Sequence, residues 1–130
     1  MSKHKKIVEQ FWDAWNAKDV RGAAALMAED CLFEVIGEVS LAGRDVFVQA
    51  NLDFSDALKP GARLTVRTMV EEGDVVACTG SGVMTGGHTD LEYNNRYAWI
   101  FTFSGDEISH VEEYCDTKLL HVAVYGQTLS

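Results

Sequence analysis

The feature that most constrains the fold is a pair of long, aromatic-rich segments near the C-terminus. Residues 91–103 and 108–116 both have the composition of β-strands. Gly105-Asp106 between them is a two-residue turn signal with glycine at its first central position. The sequence therefore predicts a long β-hairpin, and the short loop also predicts which side chains share a face.

This loop predicts a register in which Ser104 pairs with Glu107. One face then carries aromatic walls with a few polar groups, which is typical of a small-molecule pocket. Its facing pairs are Asn95 with Asp116, Tyr97 with Tyr114, Trp99 with Glu112, and Phe101 with His110. The opposite face carries Arg96, Ala98, Ile100 and Thr102 against Cys115, Glu113, Val111 and Ser109.

Helical patterns precede the long strands. Apolar residues at helical spacing predict helices over 3–17 and 44–57, and Asp19 is a suitable N-cap for a short helix between them. Helices first and long strands later indicate an α+β fold, in which four long strands curl around one apolar helix. Strands are predicted at 31–36, 64–70, 75–85, 91–103 and 108–116, with Gly80 and Gly82 marking a bend.

Length and composition limit the possible functions. The 130 residues correspond to one domain, 1–130, without a membrane-length apolar run or a signal peptide, so we expect a cytoplasmic protein. A net charge of −9 argues against nucleic-acid and anionic-membrane partners, but not against a small neutral or cationic ligand. Cys31, Cys78 and Cys115 form no CxxC pair, and His88 with Asp90 lacks a third ligand. We therefore expect no disulfide, metal or cofactor.

Four segments resemble the SnoaL-like and ketosteroid-isomerase-like group of the nuclear transport factor 2-like superfamily. They are Phe-Trp-Asp-Ala-Trp-Asn-Ala-Lys-Asp (11–19), Leu-Met-Ala-Glu-Asp-Cys (26–31), Tyr-Asn-Asn-Arg-Tyr-Ala-Trp-Ile-Phe (93–101) and Glu-Glu-Tyr-Cys-Asp-Thr (112–117). The resemblance covers nearly the whole chain. It implies a cone-shaped fold of the cystatin-like roll type, with N-terminal helices packed into a strongly curved antiparallel sheet. Function is less constrained, because the superfamily contains isomerases, cyclases, dehydratases, epoxide hydrolases and non-catalytic modules.

The resemblance also allows known site positions to be compared. The three ketosteroid-isomerase positions are matched here by Phe11, Val35 and Trp99, which cannot exchange a proton with a dienolate. The Arg-x-Asp pair of limonene-epoxide-hydrolase-like members falls near residues 79–82, where neither residue type occurs. The last-strand motif of those members resembles Glu-Tyr-Cys-Asp at 113–116, which implies Asp116 as the candidate catalytic carboxylate.

Each candidate has two interpretations. Asp116 is either a general base or a residue that caps the following tail or bonds to Asn95. Tyr97 and Tyr114 either orient a ligand carbonyl or are ordinary sheet residues, and His110 either shuttles protons or is simply hydrogen-bonded. The predicted ligand pocket is lined by Phe11, Trp15, Phe33, Val35, Asn95, Trp99 and Phe101.

These observations favour a small-molecule pocket protein that resembles SnoaL-like polyketide cyclases and isomerases. Its expected ligand is a small apolar molecule, with acid–base chemistry on a carbonyl compound. The alternatives are a non-catalytic binding module and a homodimer formed through the outer sheet face, where Ala98, Ile100 and Val111 are predicted to lie.

Overall fold

The computed structural model describes residues 2–128. Helices form in the N-terminal half and at the C-terminal end, and long strands lie between them. In chain order the elements are α1 (Lys3–Asn16), α2 (Val20–Ala24), β1 (Met27–Val35), β2 (Val39–Ala42), α3 (Arg44–Asp56), β3 (Arg63–Glu72), β4 (Val75–Val83), β5 (Arg96–Ser104), β6 (Glu107–Cys115) and α4 (Thr117–Ala123). This is the α+β arrangement that the sequence predicts.

The six strands form one curved, unclosed sheet in the order β2-β1-β6-β5-β4-β3. Every neighbouring pair is antiparallel except β1 and β6, which run parallel. The prediction of a wholly antiparallel sheet is therefore wrong for this pair. No hairpin joins β1 to β6, since α3 and four strands lie between them in the chain, so no turn forces the two strands to run in opposite directions.

Helix α1 fills the concave side of the sheet. It presents Val8, Phe11 and Trp12 as buried side chains, in agreement with the apolar stripe in the sequence. The Phe11 ring meets Phe101 edge-on at 5.5 Å between centroids, and Trp12 lies 4.4 Å from Trp99. Burial of each such side chain stabilises the fold by roughly 1.5–3 kcal/mol, so this contact between helix and sheet anchors the core.

Most predicted elements are confirmed, and the differences lie at short or irregular segments. The helices predicted over 3–17 and 44–57 each end one residue earlier, and Asp19 caps α2 by accepting from Gly22 N at 2.9 Å. Strand β2 and helix α4 are not predicted, because four and seven residues carry little periodicity. The long strand starts at Arg96 rather than 91, because residues 91–95 form an irregular segment.

The register of the last hairpin differs from the prediction by a β-bulge at Ser109. Ser104 pairs with Glu107 and Phe103 with Ile108, but Thr102 then pairs with His110. Ser109 is the extra residue, and its hydroxyl donates to the Thr102 carbonyl at 3.0 Å.

Because a bulge adds one residue to one strand, every later side chain of β6 changes face. The predicted pairing of residues 95–101 with residues 110–116 is therefore wrong. Trp99 pairs with Glu113, Tyr97 with Cys115, and Phe101 with Val111.

A second bulge bends the sheet between β3 and β4. Val66 pairs with Gly80 and Thr68 with Thr79, which leaves Arg67 unpaired. A Cβ atom at Gly80 would lie 2.5 Å from the Thr65 carbonyl oxygen and 2.7 Å from the Trp99 ring. Glycine at this position is therefore required by the close approach of a neighbouring strand and a core indole, as the predicted bend suggested.

We expect Gly80→Ala to lower the free energy of unfolding by about 1–3 kcal/mol, since the added methyl group overpacks this contact. Urea unfolding monitored by circular dichroism measures the change. Thr79→Ala is the matched control, because Thr79 is exposed on the other face of the same strand. Equal stability of the Gly80→Ala variant and the wild type would contradict the packing argument.

Candidate functional site

A cavity of about 460 Å³ lies between the sheet, α1, α3 and the C-terminal segment. Its walls are mostly aromatic and aliphatic, which is the composition of a small-molecule site. The lining residues are Trp12, Trp15, Phe33, Val35, Glu38, Val39, Leu41, Phe47, Ala50, Asn51, Phe54, Leu64, Met84, Tyr93, Tyr97, Glu113, Leu120 and Tyr125.

The predicted pocket residues divide between this lining and the core behind it. Trp15, Phe33, Val35 and Tyr97 line the cavity. The other predicted residues do not line the cavity but lie buried behind its wall. Phe11, Trp99 and Phe101 are fully buried, and Asn95 is 2% exposed. The structure thus brings the predicted aromatic set together, with its inner members supporting the wall rather than forming it.

Asn95 has a structural task beside the cavity. Its side-chain amide donates to the Tyr93 hydroxyl and to the Asp116 carbonyl oxygen, each at 3.0 Å. Its side-chain oxygen accepts from Asp116 N at 3.1 Å and from Arg96 N at 2.8 Å. Asn95 therefore joins the start of β5 to the end of β6 and fixes the Tyr93 ring.

The predicted catalytic group Asp116 lies outside the cavity lining. Its carboxylate accepts from Leu119 N at 3.1 Å and so caps α4, while its backbone bonds to Asn95. Both roles are the alternatives that the sequence left open for this residue. The carboxylate is held at the beginning of a helix because β6 ends one residue earlier, at Cys115.

Tyr114 and His110 lie on the outer face of the sheet. The Tyr114 hydroxyl donates to Glu112 at 3.0 Å, and the tyrosine is 41% exposed. The His110 ring bonds through Nε2 to Glu34 Oε1 at 2.7 Å. The bulge at Ser109 causes this placement, since it turns the even-numbered residues that follow it in β6 away from the cavity.

The same bulge turns Glu113 into the cavity. The Trp99 indole N–H donates to Glu113 Oε1 at 2.8 Å, which orients the carboxyl group. Burial among apolar walls raises the pKa of Glu113 to about 7, an effect that the Trp99 hydrogen bond partly offsets. At neutral pH this carboxyl group is present in both its protonated and its ionised form.

Sequence reasoning missed Glu113 because it assumed a regular strand. One signal was available: Ile108 and Val111 are three residues apart, and two apolar residues at that spacing share a face only if a bulge lies between them. In the structure both side chains are fully buried. The apolar pattern of β6 thus indicated the bulge, although the polar motif at 113–116 pointed to Asp116 instead.

Two phenols lie beside Glu113. Tyr93 and Tyr97 are 2% and 8% exposed, and burial raises the pKa of each hydroxyl above its usual value. The two hydroxyls also interact with each other. Both groups are therefore neutral hydrogen-bond donors throughout the ordinary pH range.

Among the other polar groups of the wall, the Glu38 carboxylate contacts His121 at 2.7 Å. Asn51 accepts from the Trp15 indole at 3.1 Å and donates to the Phe47 carbonyl at 2.9 Å. The Trp12 indole N–H has no hydrogen-bond partner within residues 2–128. Glu113 is thus the polar group best placed for proton transfer inside the cavity.

Two features are absent from the part of the chain that the structure describes. Within it, no three histidine, cysteine or acidic side chains form a cluster suited to a metal ion. None of its helices has the length and apolar character needed to cross a bilayer.

The sequence matches the family model of the SnoaL-like domain over residues 8–111. The chain belongs to the SnoaL-like domain family. A search of curated proteins gave no significant match.

Solved structures share the fold of this SnoaL-like domain at low sequence identity. A nuclear transport factor 2-like protein of unknown function from Burkholderia pseudomallei is 18% identical, with a TM-score of 0.84 over 95% of this chain and 98% of its own. A candidate SnoaL-like polyketide cyclase from Jannaschia sp. is 12% identical, with a TM-score of 0.84 and coverage of 97% and 94%. The protein TerC, co-crystallised with polyporic acid, is 18% identical, with a TM-score of 0.80 and coverage of 95% and 99%. Identities this low establish the fold alone.

Glu113→Gln tests the burial of this carboxyl group in the SnoaL-like domain. The pKa is about 7 when folded and about 4.3 in an unfolded chain, so the native state favours the protonated form. The stability that this preference contributes is complete below pH 4 and is lost as the pH rises through 7. Glutamine has the shape of the protonated glutamate but does not ionise. Between pH 4 and pH 8 the free energy of unfolding of the variant should therefore rise by on the order of 3 kcal/mol relative to that of the wild type.

Urea unfolding at pH 4 and pH 8 measures this difference. Glu112→Gln removes one negative charge from the same strand, but on the outer face, and should show a much smaller pH-dependent difference. A Glu113→Gln variant whose stability follows the wild type at both pH values would show that Glu113 is not buried as described.

Proposed function

We propose that this SnoaL-like domain is an acid–base enzyme that acts on a small apolar carbonyl compound, with Glu113 transferring the proton. The observation that carries the proposal is the Glu113 carboxyl group, which Trp99 orients inside an aromatic cavity. A general base works best when its pKa lies near the operating pH, and burial brings the pKa of Glu113 to about 7.

The arrangement suits removal of a proton from the carbon next to a carbonyl group. The ionised Glu113 carboxylate accepts that proton, and negative charge develops on the carbonyl oxygen. A neutral phenol close by stabilises such an oxyanion by donating a hydrogen bond, and Tyr97 is one of the two phenols that line the cavity beside Glu113. Return of the proton from Glu113 to another carbon completes an isomerisation. In a cyclisation, the enolate carbon instead attacks a second carbonyl group, and the alkoxide formed from that group takes the proton from Glu113.

The polar groups predicted from the last strand have different tasks in this proposal. Asp116 holds the start of α4, and Tyr114 and His110 lie on the outer face. The catalytic role that the family motif suggested for Asp116 therefore passes to Glu113, three residues earlier.

A binding module without chemistry is the second candidate function. It is favoured by the residues at the ketosteroid-isomerase positions, Phe11, Val35 and Trp99, none of which exchanges protons. The fold neighbour TerC, co-crystallised with polyporic acid, supports a small organic ligand under either candidate.

Proton exchange tests the catalytic proposal without knowledge of the natural substrate. A panel of apolar ketones is incubated with the protein in D₂O, and loss of the α-proton signal is followed by NMR. We expect exchange that accelerates as the pH rises through about 7, because the carboxylate form of Glu113 is the base. Glu113→Gln should slow this exchange about 10²- to 10⁴-fold.

Asp116→Asn is the matched control, because asparagine is also a good N-cap and leaves α4 in place. It should exchange at the wild-type rate. Tyr97→Phe should slow exchange about 10²-fold while keeping the pH profile. Loss of exchange in Asp116→Asn but not in Glu113→Gln would return the role to Asp116. Ketone binding without exchange above the buffer rate would favour the binding module.

We also propose that the domain self-associates through the outer face of its sheet. Ala98 and Ile100 lie on that face, beside Tyr114. Val111, which the sequence placed there, is fully buried on the inner side because of the bulge. An apolar sheet face is stable when another surface covers it, and a second copy of the chain provides one.

Sedimentation velocity at micromolar concentration should show a dimer for the wild type and a monomer for Ile100→Glu. Val46→Glu places the same charge on an exposed valine of α3 and should leave the dimer intact. A monomeric wild-type protein would contradict self-association.

A further inference from the structure

The mouth of the cavity lies between two segments that are distant in sequence. Among the lining residues, Val39 and Tyr125 are 45% and 51% exposed, so they mark the opening. The turn that joins β1 to β2 forms one side of this opening through Glu38. Helix α4 and the residues after it form the other side through Leu120 and Tyr125.

One side-chain pair connects the two sides. His121 of α4 contacts Glu38 through Nε2 at 2.7 Å, and its Nδ1 lies 2.6 Å from Gln127 Oε1. Both ring nitrogens therefore face acceptor oxygens. A neutral imidazole has one N–H and satisfies one of them, whereas the protonated ring donates to both. The geometry thus favours a charged His121 paired with an ionised Glu38.

We propose that the Glu38–His121 pair is a latch that holds α4 across the mouth of the cavity and is weakened when His121 loses its proton and the ion pair becomes a single neutral-donor hydrogen bond. The latch regulates access to Glu113, so its role in catalysis rests on the proposed function. The Glu38–His121 contact itself does not depend on that function. Val39 and Tyr125, the exposed residues at the mouth, move apart when it opens.

The other attachments of α4 restrict its movement, so the opening is confined to the side chains at the mouth. Its first turn is fixed to the sheet, since Asn95 bonds to both backbone groups of Asp116. Its last turn is held by the Thr89 hydroxyl, which donates to the Ala123 carbonyl at 2.5 Å. Of these three attachments, the Glu38–His121 pair is the one that spans the mouth and changes charge near neutral pH.

The titratable neighbours determine the direction of the pH effect. The hydrogen bond to Glu38 comes first in raising the pKa of His121, followed by the bond to Gln127. The other groups near the contact are the Tyr125 ring, 5.5 Å from the imidazole, and the Cys115 thiol beside Glu38. Burial raises the pKa of both, that of Cys115 to about 12, so both stay neutral. Lys118 is the other basic side chain of α4.

The ion pair is therefore formed in mildly acidic and neutral solution and is lost as the pH rises through the raised pKa of His121. Glu113 ionises as the pH rises through about 7. The active base form of the site and a looser mouth are thus both favoured by alkaline pH.

Acrylamide quenching of tryptophan fluorescence tests the latch without any substrate. Trp12 and Trp15 line the cavity, and acrylamide is small and neutral. At pH 6 the Glu38→Gln variant should have a quenching constant about two- to fivefold higher than wild type, since a partly exposed ion pair shifts such an equilibrium modestly. At pH 9 the two proteins should be quenched equally. Amide hydrogen exchange of α4, expressed as protection factors, should change in parallel.

Two further variants make the result specific. His121→Gln keeps a neutral hydrogen bond to Glu38, so its quenching should no longer depend on pH. His110→Gln removes a similar pair, with Glu34 at 2.7 Å, from the outer face and should behave as wild type. NMR titration of His121 in Glu38→Gln should give a pKa lower than in wild type, shifted toward the ordinary value of about 6.5, since the bond to Gln127 remains.

Equal quenching and equal α4 protection in wild type and Glu38→Gln at pH 6 would overturn the latch, as would an effect of equal size in His110→Gln. Neither outcome bears on the acid–base proposal, which the ketone exchange of Glu113→Gln tests separately. Conversely, absence of ketone exchange leaves the quenching result intact.

Discussion

The bulge at Ser109 is the constraint on which the candidate site depends. One unpaired residue in β6 lets Ile108 and Val111 both pack inside the cone. It also moves every later side chain of β6 to the opposite face of the sheet. Without it, Glu113 would face outwards and His110 inwards. The burial of two large apolar side chains stabilises the bulged register by roughly 3 kcal/mol or more, so packing decides which polar groups reach the cavity.

The aromatic core then determines the orientation and the pKa of the Glu113 carboxyl group. Trp99 packs against Trp12 on one side and Tyr97 on the other, with ring centroids 4.4 and 5.0 Å away. A ring held this firmly presents its N–H to Glu113 in a fixed direction. The same rings exclude water and raise the pKa of the carboxyl group, so the wall that supports the site also tunes it.

Much of the fold could be predicted from the sequence. The apolar stripe of α1, the Asp19 cap and the Gly105-Asp106 turn are local signals, and each is confirmed by the structure. The SnoaL-like resemblance is confirmed by the family match over residues 8–111. The aromatic character of the pocket was predictable for the same reason, since Trp15, Phe33 and Tyr97 lie on faces that local periodicity defines.

The sequence by itself thus determined the element types, the turn of the last hairpin and the aromatic wall, because these depend on residues close together in the chain. Tertiary structure decided the parallel pairing of β1 with β6, the bulge, and the contact between Glu38 and His121, which are 83 residues apart. It therefore also decided that Glu113, rather than Asp116, faces the cavity. The physical reason is that a strand's polar residues follow whichever register buries its apolar ones best, and that register is chosen by the rest of the core.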